Sequence, residues 1–150
     1  MENSDAESNC CEHFEKFLNR DVGLLILRIA VGGLMLFHGI AKLSKGLDGL
    51  KGMMAGRGLP EVMAYGAYVG EILAPILIII GLATRPAAAL VAFTMLTAIY
   101  VAHSADIFTL SERGGGLAIE LPLLFLLGSL ALVFTGSGKL GLRKGRKPLD

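Results

Sequence analysis

Four long apolar segments constrain this chain more than any other feature of its sequence. They cover residues 22–43, 62–82, 86–103 and 117–135, and each holds at most three Lys, Arg, Asp, Glu or His residues. A helix needs roughly 20 mostly apolar residues to cross the hydrocarbon core of a bilayer, and these segments lack the polar face of a soluble bundle helix. We therefore predict an all-α integral membrane four-helix bundle with up-down-up-down topology, in contact with the lipid bilayer.

The composition agrees with a membrane domain and excludes several other classes of protein. Hydrophobic residues make up 53% of the 150 residues, and the mean hydropathy of +0.63 is high for a soluble domain. Such a composition excludes intrinsic disorder. The 14 Lys and Arg residues nearly balance 13 Asp and Glu residues, so the net charge is +1. A balanced charge gives no basic field for phosphates, and no nucleic-acid partner is expected.

The charge distribution divides the chain into three parts and predicts its orientation. An acidic polar tail covers residues 1–21, the membrane domain covers 22–135, and a basic tail covers 136–150. The first tail lacks the basic start and apolar stretch of a cleavable signal peptide. Eight Lys and Arg residues lie in the two tails and the loop after the second segment, against four in the other two loops. The positive-inside rule therefore predicts that both termini are cytoplasmic.

The two cysteines, Cys10 and Cys11, are adjacent in the acidic tail. Disulfide geometry is strained between neighbouring residues, and a cytoplasmic tail is a reducing environment. Together with His13 they do not match the ligand spacing of a zinc site. We expect free thiols and no metal, and the sequence assigns these cysteines no role.

The first loop, residues 44–60, allows two interpretations. It places Leu47, Leu50, Met53 and Met54 at helical spacing between charged residues, which favours a short amphipathic helix at the outer interface. Its five glycines favour a flexible loop equally well.

Ionisable residues inside the segments are the candidate functional residues, because a charge at the bilayer centre costs about 2.5–3.5 kcal/mol on insertion scales. The candidates for ligand binding or a proton network are Arg28, His38, Lys42, Glu71, His103 and Glu120. On an ideal helix Arg28, Gly32, Met35, Gly39 and Lys42 fall within about 80° of one another. Glycines on that stripe would let a neighbouring helix approach closely.

These residues predict an interior polar network. The expected partners are Glu71 with Arg28 or His38, and Glu120 with Lys42 and His103 near the outer mouth. Pro75 cannot donate a hydrogen bond to the carbonyl of Glu71, so that carbonyl needs another partner inside the membrane. The network is interpreted either as pins that fix helix register or as a ligand or proton-coupled site. The sequence leaves both readings open.

The two outer histidines raise a haem hypothesis. His38 and His103 lie toward the same side of the bundle, and two histidines across a bundle can ligate haem iron. The chain has no CxxCH motif, and both histidines lie at segment ends. Haem is therefore disfavoured.

Several of these motifs resemble the DoxX family. The matching elements are the segment 28–43, ending in Phe37-His38-Gly39-Ile40-Ala41-Lys42-Leu43, then Gly58-Leu59-Pro60, Gly70-Glu71, Gly81-Leu82-Ala83-Thr84-Arg85, Glu120 and Gly136-Ser137-Gly138. The resemblance covers residues 22 to about 142. One departure is that the family usually shows a Ser-Leu-Asp-like end where this chain has Gly141-Leu142-Arg143.

The resemblance implies a four-helix inner (plasma) membrane protein of a bacterium or archaeon. Some family members are subunits of quinone-linked oxidoreductases acting on thiosulfate, and others act in thiol-redox homeostasis with soluble partners. We therefore expect a membrane subunit of a quinone-linked thiol or sulfur redox assembly, with an interior polar pocket. A soluble redox partner and a homo-oligomer are both compatible with this hypothesis.

Two alternatives remain open from the sequence. One is a small proton-coupled transporter or channel that uses Glu71, and the other is a non-catalytic membrane scaffold for a soluble partner. The chain shows no nucleophile triad, phosphate loop or metal-ligand set. If it takes part in redox chemistry, a quinone or a partner protein brings that chemistry.

Overall fold

The computed structural model describes residues 20–105, 107–111 and 116–142. This part of the chain is helical, with five elements: α1 (Arg20–Lys45), α2 (Asp48–Gly56), α3 (Glu61–Ile80), α4 (Thr84–His103) and α5 (Glu120–Thr135). Within these ranges no strand forms, and Leu110 and Leu117 make one isolated β-bridge. The acidic tail up to residue 19, with Cys10 and Cys11, and the basic residues 143–147 lie outside the described residues.

The helices α1, α3 and α4 are long and apolar enough to cross a membrane. Their outward faces carry large apolar side chains, and Phe37 of α1 and Phe93 of α4 are both more than half exposed. Side chains of this kind favour lipid over water as the surrounding medium. The predicted all-helical fold is confirmed, with three long apolar helices compatible with a membrane bundle.

The fourth apolar segment forms a shorter helix than the sequence predicts. The expected span was 117–135, but α5 begins at Glu120 and has 16 residues. The preceding residues form a turn instead, because Leu117 pairs with Leu110 and the Ala118 N–H donates to the Thr109 carbonyl at 2.9 Å. The helix is thus shorter than the roughly 20 residues that cross a bilayer core without help.

The first loop contains a helix rather than only flexible chain. Met54 of α2 and Leu47, which directly precedes α2, lie in a small buried cluster with Ala64 of α3 and Val101 of α4. This packing holds α2 across the start of α3 and the end of α4. Its position at the membrane interface stays a prediction.

Lys51 ties α2 to α3 electrostatically. Its Nζ lies 4.9 Å from the centre of the Tyr65 ring. Hydrogen bonding and charge attraction from Tyr65 raise the pKa of Lys51, with smaller contributions from Asp48 and Glu61. The raised pKa shows that these neighbours favour the charged ammonium over the neutral amine.

The two glycines of the predicted stripe on α1 face α3. A Cβ atom at Gly32 would lie 3.0 Å from the Pro75 carbonyl oxygen, and one at Gly39 would overlap the backbone of Glu71. The predicted close approach of a neighbouring helix is confirmed. Gly39 comes after Gly32 in α1, but it meets Glu71, which comes before Pro75 in α3. The two helices therefore run antiparallel. Both α1 and α4 also contact α5, and α4 contacts α3.

Helix α3 is irregular where it carries the buried carboxylate. It starts as a 3-10 turn over Glu61–Tyr65, widens to a π-helical turn over Val69–Leu73, and continues as α-helix from Ala74. Pro75 has no N–H to donate to the Glu71 carbonyl, and the π-helical turn lies directly before this missing bond. Turns of this kind often occur at functional sites.

Candidate functional site

A partly buried ion pair joins α1 to α3. The ammonium of Lys42 donates to Oε1 of Glu71. The Glu71 side chain is 3% exposed and the Lys42 side chain 35%. The second carboxylate oxygen of Glu71, Oε2, is buried and finds no hydrogen-bond partner in the described part of the chain. An unpaired buried acceptor costs free energy, so this oxygen favours a donor from a ligand or water.

Two cavities meet at the Lys42–Glu71 pair. The larger has a volume of about 310 Å³ and lies among α2, α3 and α4. The smaller has a volume of about 150 Å³ and lies among α1, α4 and α5. Both cavities are lined by Lys42, Glu71 and Ala98. The ion pair therefore lies in the wall between them.

The smaller cavity collects four of the six residues that the sequence singled out. His38 and His103 line it beside Lys42 and Glu71. The His38 ring meets Phe125 of α5 edge to face, with centroids 5.7 Å apart and an interplanar angle of 84°. At about 150 Å³ the cavity is well below the roughly 300 Å³ at which small-molecule pockets begin. It has room for a few water molecules and not for a haem.

The larger cavity is mostly apolar, and sequence reasoning missed two polar groups in it. Thr94 and Thr97 of α4 line the cavity, and their hydroxyls donate to the carbonyls of Leu90 and Phe93 at 2.9 and 3.0 Å. The available signal was their three-residue spacing on an otherwise apolar segment. Gly70 of α3 leaves the space that the Thr94 side chain occupies.

Arg28 lies away from both cavities. Its guanidinium donates from Nε to the Ile78 carbonyl (2.8 Å), from Nη1 to the Ser137 carbonyl (3.0 Å) and from Nη2 to the Ile79 carbonyl (2.7 Å). With a rise of 1.5 Å per residue, Arg28 is about 21 Å from Lys42 along α1. The predicted pairing of Glu71 with Arg28 is therefore wrong. Lys42 takes that place because the close approach at Gly39 sets the register of α1 against α3.

Glu120 does not join the outer cluster. It is exposed at the first residue of α5 and does not line either cavity. No hydrogen bond or ion pair connects it to Lys42 or His103 in the described ranges, so the predicted outer pairing is not found. Among the same residues, no three His, Cys, Asp or Glu side chains come close enough to hold a metal ion.

These features define an all-helical membrane protein with a partly buried ion pair between two partly open cavities. The model of the DoxX family matches residues 23–104. The chain is 34% identical over 131 residues to the putative oxidoreductase CatD of Bacillus subtilis, covering 85% of this chain and 92% of that protein. The chain belongs to the DoxX family.

Two further relatives are similar over much of their length. An uncharacterized protein of Haemophilus influenzae is 35% identical over 133 residues, covering 87% of this chain and 93% of that protein. The inner membrane protein YphA of Escherichia coli is 39% identical over 97 residues, covering 63% and 69%. No solved structure matches. The family, the apolar helices and the similarity to YphA support a location in a bacterial inner membrane.

Proposed function

We propose that this chain is the membrane subunit of a quinone-linked thiol or sulfur redox assembly. In this proposal the apolar segments form an up-down-up-down four-helix bundle with both termini in the cytoplasm. The observation that carries the functional proposal is the Lys42–Glu71 pair, buried in the wall between an apolar cavity and a smaller cavity with two histidines. The printed name of CatD, a putative oxidoreductase, supports a redox role.

The residues present fit a quinone at the larger cavity. The apolar lining suits a quinone ring. Lys42 can donate one hydrogen bond to a quinone oxygen while another of its three N–H groups donates to Glu71. A bound quinone supplies the electron- and proton-carrying chemistry. Glu71 can take up or release a proton at that end of the cavity. His38 and His103 line the cavity on the far side of the pair, and their ring nitrogens can accept or donate a proton there.

The proposal is tested by quinone binding to the full-length protein in nanodiscs. Replacing Lys42 by methionine removes a charge-assisted hydrogen bond, which is worth about 1.5–3 kcal/mol. We expect Lys42→Met to weaken binding of a short-chain benzoquinone about tenfold or more. Lys45→Met is the matched control, because Lys45 is exposed on the same helix and lines neither cavity.

The redox part of the proposal has a separate readout. Membranes that contain the protein and its soluble partner should reduce the quinone with a thiol or thiosulfate donor, and Lys42→Met should lower that rate while Lys45→Met should not. Equal quinone affinity in both variants would remove the proposed site. If quinone binds but is not reduced when the donor is added, the chain is a quinone-binding protein, and the claim that it belongs to a redox assembly is refuted.

One observation favours a second candidate function. The two cavities lie on opposite sides of a buried carboxylate, and a carboxylate in that position can couple proton binding to transport. A small proton-coupled transporter or channel would show flux in proteoliposomes that depends on a pH gradient and is lost in Glu71→Gln. Flux that ignores the pH gradient would exclude it.

A further inference from the structure

The free hydrogen-bonding atoms around the larger cavity define what it can bind. Glu71 lines this cavity, and its second carboxylate oxygen, Oε2, is a buried acceptor without a hydrogen-bond partner among the described residues. The hydroxyls of Thr94 and Thr97 already donate to backbone carbonyls, so they face the cavity as acceptors. The Lys42 ammonium has three N–H groups and uses one on Glu71 Oε1, which leaves donors beside the free acceptor. The polar end of the cavity therefore presents a donor and a buried acceptor on neighbouring side chains.

A hydroxyl group satisfies both partners at once. Its O–H donates to Glu71 Oε2, and its oxygen lone pair accepts from Lys42. A carbonyl or ether oxygen accepts a hydrogen bond from Lys42 but has no hydrogen to donate to Oε2. The ligand oxygen and Oε2, which are both acceptors, then face each other. Leaving a buried acceptor unpaired costs about 1–3 kcal/mol, which corresponds to a factor of roughly five to somewhat over a hundred in affinity.

The rest of the cavity fits an aromatic ring. Beyond the polar end the lining is apolar and includes Leu50, Met54, Met63 and Phe93. The volume of about 310 Å³ falls at the lower end of small-molecule pockets, which span roughly 300–1,000 Å³. Water could donate to Oε2 but makes no favourable contact with the apolar walls. A lipid acyl chain could pack against those walls but has no hydrogen-bond donor for Oε2.

We propose that the larger cavity binds aromatic molecules that carry a hydroxyl group, held by an O–H bond to Glu71 Oε2 and an N–H bond from Lys42. This inference rests on the proposed function and deepens it, because it selects the hydroxyl-bearing form. Of a quinone and quinol couple, the site holds the quinol more tightly. The selectivity resides in Glu71, and Lys42 serves both forms.

Two probes isolate the hydroxyl. The compounds 2-naphthol and 2-methoxynaphthalene share a fused ring and differ in the O–H hydrogen. The chain has no tryptophan, so probe fluorescence can be excited away from the protein. With the full-length protein in nanodiscs and empty nanodiscs subtracted, we expect saturable binding of 2-naphthol about fivefold or more tighter than that of the ether.

A substitution at Glu71 tests the direction of the hydrogen bond. In Glu71→Gln the amide oxygen can accept from Lys42 while the NH₂ group takes the place of Oε2, so the free acceptor becomes a donor. The preference for 2-naphthol should then be lost or reversed. Glu61→Gln makes the same chemical change at an exposed position on α3 outside both cavities, and it should keep the wild-type preference.

The outcomes separate this inference from the proposed function. Equal affinity of wild-type protein for the two probes, as an acyl-chain site would show, overturns the inference, and so does the absence of saturable binding, as a water-filled cavity would show. Both results stand even if Glu71→Gln fails to fold. Quinone binding that depends on Lys42, combined with equal probe affinities, would retain the proposed function and remove this inference. A preference for 2-naphthol without quinone binding would retain this inference and remove the proposed function.

Discussion

Two basic residues on the same stripe of α1 have different physical roles. Arg28 is 1% exposed and satisfies three backbone carbonyls with a rigid planar fork of donors. Two of these carbonyls end α3, where the helix dipole also favours a cation. Lys42 is a point charge on a flexible stem and pairs with a carboxylate whose second oxygen has no hydrogen-bond partner in the described part of the chain. Arg28 is therefore a pin at the end of a helix, and Lys42 belongs to the candidate site.

Removing the Arg28 guanidinium should destabilise the protein without changing the cavities. In Arg28→Met the carbonyls of Ile79 and Ser137 lose the guanidinium donor, while the Ile78 carbonyl keeps the Gly81 N–H at 3.2 Å. Leaving a buried acceptor unpaired costs about 1–3 kcal/mol. The free energy of unfolding, followed by circular dichroism during titration with a denaturing detergent, measures the loss. Arg20→Met, at the exposed start of the same helix, should change stability by less than about 0.5 kcal/mol. Similar losses in the two variants would refute the role assigned to Arg28.

The sequence identified the residues of the site better than it identified their partners. Helical spacing places Arg28 and Lys42 on one stripe, and the structure confirms that this stripe faces α3. Spacing on a single helix does not fix how far that helix slides along its neighbour. The relative position of α1 and α3 along their axes is set by the contact of Gly39 with the Glu71 backbone. This contact brings Glu71 to Lys42, about one turn after Gly39, and places Arg28 near the other end of α3.

At the scale of helices, the approach of α1 to α3 builds the site. Gly39 lies against the Glu71 carbonyl, and Pro75 cannot supply that carbonyl with the N–H donor expected four residues later. The π-helical turn Val69–Leu73 falls at the same place. The position of the Glu71 carboxylate beside Lys42 therefore depends on a glycine in one helix and a proline in the other.

A methyl group at Gly39 should separate the two helices. A Cβ there would overlap the backbone of Glu71, which cannot yield as a flexible side chain would. We expect Gly39→Ala to lower the free energy of unfolding by roughly 1–3 kcal/mol and to weaken binding at the larger cavity. Gly33→Ala is the matched control, because a Cβ there meets nothing within 4 Å. It should stabilise the helix by up to about 1 kcal/mol. Equal effects of the two substitutions on unfolding would contradict the close approach.

The helices themselves were predictable to different degrees. Continuous apolar segments predict α1 and α4 because that signal is local. Helical spacing in the first loop indicated α2, but its five glycines favoured a flexible loop equally well. The irregular turn in α3 has the same apolar pattern as a regular helix, and Pro75 was its one local signal. The late start of α5 depends on a bridge between Leu110 and Leu117, which is a contact across a loop that periodicity does not record.

Across the whole molecule, the motifs that resemble the DoxX family separate into two ends. Phe37 to Leu43 and Gly70-Glu71 supply the ion pair and its cavities. Gly81 to Arg85 and Gly136 to Gly138 gather around Arg28 at the other end, where Ser137 gives its carbonyl to the guanidinium. The Lys139 N–H donates to Asp21 at 2.9 Å and ties the chain after α5 to the start of α1. The motifs of the family pattern therefore lie in two groups, one around the buried Arg28 and one around the candidate site at Lys42 and Glu71.

The two ends should face opposite sides of the membrane, and the cysteines of the chain can report this. Cys10 and Cys11 are its two cysteines and both precede α1, so a membrane-impermeant maleimide applied to intact spheroplasts reports the side of the N-terminal tail. The excess of Lys and Arg in both tails and in the loop containing Arg85 predicts a cytoplasmic tail. We therefore expect no labelling until the membrane is permeabilised.

The matched control places one thiol at the opposite end of α1. In a Cys10→Ser and Cys11→Ser background, Ser44→Cys carries its thiol at an exposed position beside the end that holds Lys42. Because α1 crosses the bilayer, this thiol should be labelled in intact spheroplasts. Labelling of the native cysteines together with protection of Ser44→Cys would invert the orientation, and the cavity with the two histidines would then open toward the cytoplasm. Labelling of both sites without permeabilisation would show that α1 does not span the membrane, which would contradict the bundle on which the proposed function depends.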